Sequence, residues 1–74
     1  MDIHNLVTMA NQIGAFFEAM PDRPQAMLDI AGHIKRNWDP RMRRAIMQYL
    51  DEQGGVDLKE IVREALQINR DGVV

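Results

Sequence analysis

The chain has 74 residues, a formal net charge of −2, 46% hydrophobic and 27% charged residues, and no cysteine. That is room for one small helical or mixed domain and too apolar for a disordered chain, while the missing cysteines exclude a disulfide framework or a thiolate zinc site as a staple. A slightly acidic total argues against nucleic acid as the main partner, because neutralising phosphates takes a cationic excess.

The first predicted element is a helix over about 3–19, with apolar residues at 3, 6, 7, 10, 13, 14, 17 and 20 on one face and Asp2 as its cap. Pro21 disfavours helical geometry at Met20, so the chain turns there. Asp22 and Gln25 then read as a capping box with Pro24 in the first turn, opening a second helix over about 23–37 with a stripe of Met27, Ile30, Ala31 and Ile34. Trp38 follows it. Asp39 and Pro40 start a third helix over about 40–53, which buries Met42, Ala45, Ile46, Tyr49 and Leu50 and ends at Gly54-Gly55. A second capping box, Asp57 with Glu60, opens a fourth helix over about 58–68, with Leu58, Ile61, Val62, Ala65 and Leu66 inward. The closing "NRDGVV" is expected to fray.

No segment alternates with period two, and no internal repeat is present. The fold expected is therefore all-α, a single domain over 1–74 made as a small bundle of about four short helices. Short turns favour antiparallel packing of successive helices, with an orthogonal arrangement as the other option. The first basic residue is Arg23 and no apolar run nears the roughly 20 residues of a spanning helix, so neither export nor a membrane is expected and a cytoplasmic location is.

Chemistry-bearing patterns are scarce. The two histidines, His4 and His33, are not spaced to share a helical face as metal ligands. The glycines form neither a dinucleotide-binding nor a phosphate-binding loop, and with no serine the only aliphatic hydroxyl is Thr8. Most carboxylates are accounted for as caps or outward charges. No catalytic, cofactor-binding or metal-binding residue is assigned.

Two features point to a partner. From Ile3 to Phe17 the first helix carries no formal charge, its outer arc being Asn5, Thr8, Asn11, Gln12 and Ala15, with Met9 and Phe16 widening the apolar stripe. Interface cores shed charge in this way, and so does a helix at the centre of its own bundle; the sequence leaves both open. The second feature is Lys35, Arg36, Arg41, Arg43 and Arg44 against Asp39, a local excess of +4 within ten residues that leaves −6 for the remainder. The arginines stand in the first turns of the third helix, where each cation costs about 0.3–1 kcal/mol against the helix dipole. Helix stability does not select them. An acidic patch on a partner protein is the first reading and a bound small anion the second. Asn5, Met9, Asn11, Gln12, Phe16, Lys35, Arg36, Trp38, Arg41, Arg43 and Arg44 are thus the candidate partner-binding residues.

The stretches "LVTMANQIGAFFEAMPD", "IAGHIKRNWDPRMRRAIMQYL" and "IVREAL", spanning Leu6 to Leu66, resemble the delta subunit of the soluble NAD-dependent, molybdenum-containing formate dehydrogenase. The pairing of MANQI with H-I-x-x-x-W-D-P-R-M-R is what makes the resemblance specific. It implies a non-catalytic accessory subunit of a cytoplasmic complex that oxidises formate, supporting assembly, stability or cofactor loading of the catalytic alpha subunit and, through it, contacting beta and gamma. The implied complex carries bis-molybdopterin guanine dinucleotide, iron–sulfur clusters, FMN and NAD, none of them on this chain. Two alternatives stay open: a free-standing chaperone binding the anionic molybdopterin dinucleotide, and a self-associating helical module that forms a homodimer in isolation.

Overall fold

A computed structural model describes residues 2–74 and contains five helices: α1 (Ile3–Glu18), α2 (Arg23–Asn37), α3 (Pro40–Gln53), α4 (Glu60–Ile68) and α5 (Arg70–Val73). The three aspartate caps form as the sequence dictates. Asp2 accepts from His4 N–H at 2.9 Å, Asp22 from Gln25 N–H at 3.1 Å, and Asp39 from both Arg41 and Met42 N–H. The box at Asp22 is only half made, since the Gln25 carboxamide donates to Asp29 one turn on instead of reaching back. Gly54 and Gly55, at φ 75° and 64°, close α3 in the left-handed region.

The fourth helix departs from expectation. It begins at Glu60, with Lys59 in the cap position and no side chain of its own segment capping it, so the Asp57–Glu60 box is not formed. The cap comes from α1. The Asn11 carboxamide accepts the Lys59 N–H at 2.8 Å and donates to the Asp57 carbonyl at 2.9 Å. Asp57 turns the other way, its N–H and carboxylate both meeting the Tyr49 hydroxyl, at 3.3 and 3.4 Å. Leu58 is buried ahead of the helix.

Successive antiparallel packing is the second correction. α2 lies at the centre, against α1, α4 and α5, while α3 packs on α1 and not along α2, its neighbour in the chain. The extended backbone at Trp38 and Asp39 turns α3 away. The core joins Leu6, Val7 and Ala10 of α1, Ala26, Ile30 and Ile34 of α2, Ile46 and Leu50 of α3, and Ile61, Val62 and Leu66 of α4. α3 buries Met47 in addition to the expected residues, leaving Met42 and Ala45 at the core's edge. Gly14 lies where α1 and α4 approach most closely, and a Cβ there would overlap Val62 Cγ2.

The closing residues form α5 and pack on the core. Val73 of α5 is fully buried, and Arg70 makes a two-pronged pair with Asp51 of α3. Arg43 donates to the Val73 carbonyl at 2.9 Å and Lys35 to that of Val74 at 3.1 Å. Cations at the end of a helix satisfy carbonyls that have no partner within it.

Candidate functional site

The uncharged first helix and the stretch around Trp38, distant in sequence, meet at one groove of about 560 Å³. α1 supplies Met9, Gln12, Ile13, Phe16 and Phe17 along one wall. His33 and Asn37 from the last turns of α2, the junction residue Trp38 and Met42 of α3 form the other. The junction creates the groove: because Trp38 and Asp39 are extended, α3 leaves α2 at an angle and the indole is set between the two helices, only 5% exposed. Phe16, by contrast, is 75% exposed and stands edge-on to Phe17, ring centroids 5.0 Å apart. His33 packs at an angle on the other side of Phe17, 6.3 Å between centroids.

No residue lining this groove carries a formal charge when His33 is neutral. A half-open apolar cleft with an aromatic base, two methionines and a fringe of carboxamides has the composition of a peptide-binding or subunit-binding surface.

The eleven candidate partner residues divide. Met9, Gln12, Phe16 and Trp38 line the groove. Asn5 is exposed on α1 away from it, and Asn11 is engaged in capping α4. Lys35 and Arg43 are committed to the tail carbonyls, the Arg43 Nε being buried without a partner. Arg36, Arg41 and Arg44 are exposed and form no ion pair among the described residues, where the pairs are Arg23–Glu64, Lys59–Glu18 and Arg70–Asp51. Ile13, Phe17, His33, Asn37 and Met42 also line the groove but were not among the candidates. Ile13, Phe17 and Met42 read as core from their spacing, Asn37 only as the end of the second helix, and His33 only as a histidine without a metal-binding companion; nothing in one helix's pattern marks a cleft between two.

Iron–sulfur clusters are bound chiefly by cysteine thiolates, of which there are none, and among the described residues no three His, Asp or Glu side chains gather as a metal set. Nor does the start of α3 present free N–H groups to an anion, since the Asp39 carboxylate already receives those of Arg41 and Met42 at 2.9 and 3.0 Å. No helix among the described residues is long and apolar enough to cross a membrane.

A family model described as "NADH-dependant formate dehydrogenase delta subunit FdsD" matches residues 5–66 of the chain. The match covers α2, α3 and most of α1 and α4, and so both walls of the groove. No curated protein and no solved structure matches the chain.

Proposed function

Because the chain belongs to the family of NADH-dependent formate dehydrogenase delta subunits, we propose that it is a non-catalytic accessory subunit of a cytoplasmic formate dehydrogenase. It acts by protein–protein contact with the large catalytic subunit, supporting that subunit's assembly, stability or cofactor loading, and through it joins the beta and gamma subunits. The bis-molybdopterin guanine dinucleotide, iron–sulfur clusters, FMN and NAD of the complex belong to the other subunits. The observation that carries this reading is the groove between α1 and the α2–α3 junction, where apolar side chains are open to solvent.

The rival reading, a free-standing chaperone for the molybdopterin dinucleotide, has less support. Phosphates would have to displace the Asp39 carboxylate from the N–H groups it occupies, and two of the five basic residues are spent on the tail. Co-expression tests the proposal. A tagged copy of the chain is expected to co-elute with the large subunit on affinity and sizing columns, and its deletion to lower the yield of assembled, formate-oxidising complex. Full assembly and activity without the chain, together with no co-elution, would refute it.

A further inference from the structure

The groove specifies more than a partner's existence. Its base is the near-buried Trp38, its open wall is Phe16, and Met9 and Met42 flank them with thioethers that adapt to the shape of an inserted group. Such an arrangement, a desolvated aromatic base with an exposed aromatic beside it, is where a bulky apolar anchor gains the most on binding.

Two exposed arginines lie next to lining residues along the chain. Arg41 immediately precedes the lining residue Met42 and is exposed. The Arg36 guanidinium folds back over Gly32, the neighbour of the lining residue His33; a Cβ on Gly32 would stand 2.9 Å from its Nη1. Neither arginine is in an ion pair among the described residues. Each therefore retains a fork of donors matched to a carboxylate.

We propose that this groove seats an amphipathic segment of the partner, an apolar side chain inserted between Phe16 and Trp38 and carboxylates beside it paired with Arg36 and Arg41. The inference rests on the accessory-subunit reading and names the chemistry of the segment that this reading requires. A second copy of the chain fits less well. A two-fold contact would set the same patch against itself and bring the arginines of the two copies together.

The experiment measures affinity of the full chain for the co-expressed large subunit, with three variants and a salt series. Phe16→Ala removes an exposed ring and leaves the fold intact; binding is expected to weaken by at least about tenfold. Arg36→Gln combined with Arg41→Gln is expected to weaken binding and to flatten its dependence on salt. Leu28→Ala, at an exposed apolar position outside the groove, should bind as the wild type does. Wild-type binding that is unaltered by Phe16→Ala would overturn the groove assignment while leaving the subunit reading standing. Binding indifferent to salt and to the arginine pair would overturn the acidic flank. A homodimer in sedimentation that Phe16→Ala dissolves would overturn the choice of occupant, and failure of the wild-type chain to bind at all would strike the function itself.

Discussion

Asn11 caps the amino end of α4 from a different helix, its side-chain oxygen receiving the Lys59 N–H at 2.8 Å across 48 residues of chain. One carboxamide thereby fixes where α4 begins and how it sits on α1, because its nitrogen also holds the Asp57 carbonyl. Replacing it with an isosteric apolar residue leaves both backbone groups unpaired. Asn11→Leu is expected to lower unfolding free energy by about 1–2 kcal/mol. Urea titration followed by circular dichroism measures it. Asn11→Asp, which keeps the acceptor and loses the donor, should fall between the two.

Gly14 presents the opposite case, a position where a better helix former makes a worse protein. In an isolated helix Gly→Ala gains about 1 kcal/mol. Here the added methyl would overlap Val62 Cγ2, and overpacking of this kind costs about 1–3 kcal/mol. Gly14→Ala is therefore expected to destabilise, and a Val62→Ala second change to recover part of the loss. A double-mutant cycle that shows no coupling between the two sites would contradict the close approach.

The basic segment should separate into structural and exposed members. Arg43→Glu loses the bond to the Val73 carbonyl from a partly buried position and is expected to cost about 1–3 kcal/mol. Arg41→Glu, exposed in the first turn of α3, should leave stability unchanged or raise it by up to about 1 kcal/mol, since a carboxylate suits the helix dipole there. Thermal unfolding of the single variants distinguishes them, and a combined charge reversal would confuse folding with binding.

The hold of α5 on α3 depends on pH through Asp51. Hydrogen bonding from Arg70 lowers the Asp51 carboxyl below its ordinary range and raises Arg70 further above the physiological range. A folded-state value below the unfolded one means that the stabilisation is present at neutral pH and is lost as pH falls through the depressed value. Amide protection at residues 70–74, taken relative to the intrinsic exchange rate at each pH, should accordingly fall in acid ahead of global unfolding. Asp51→Asn should remove that pH dependence.

The helices themselves were legible from local rules. Asp2, Asp22 and Asp39 cap because a short carboxylate reaches nearby N–H groups, Pro21 and Pro40 restrict the backbone whatever surrounds them, and Gly54 is free to take the left-handed geometry that ends α3. Periodicity gave the inward faces of α1, α2 and α4 for the same reason. Asp57 and Glu60 satisfied the capping pattern equally well and still did not form the box, because Tyr49 and Asn11 offered those atoms partners from other helices. Likewise "NRDGVV" has little hydrophobic pattern of its own. It is packed by one buried valine, by bonds donated from Arg43 and Lys35, and by the pair in which its Arg70 donates to Asp51, none of these partners local in sequence.

The candidate site followed the same division. The uncharged stretch of α1 and the cationic run near Trp38 were each visible as departures from what a solvated helix prefers, and the recognisable motifs fell in those two places. The sequence by itself determined that α1, α2 and α3 are helical and where they start and stop, and it marked two segments as unlike solvated helix, since these depend on neighbours within a turn or two. The tertiary structure alone decided that Trp38 and Phe16 share one groove, that Asn11 is a cap and not a contact, and which arginines remain exposed. Those outcomes depend on the angle at which α3 leaves α2 and on polar atoms competing across helices, and neither is encoded in the spacing of any single helix.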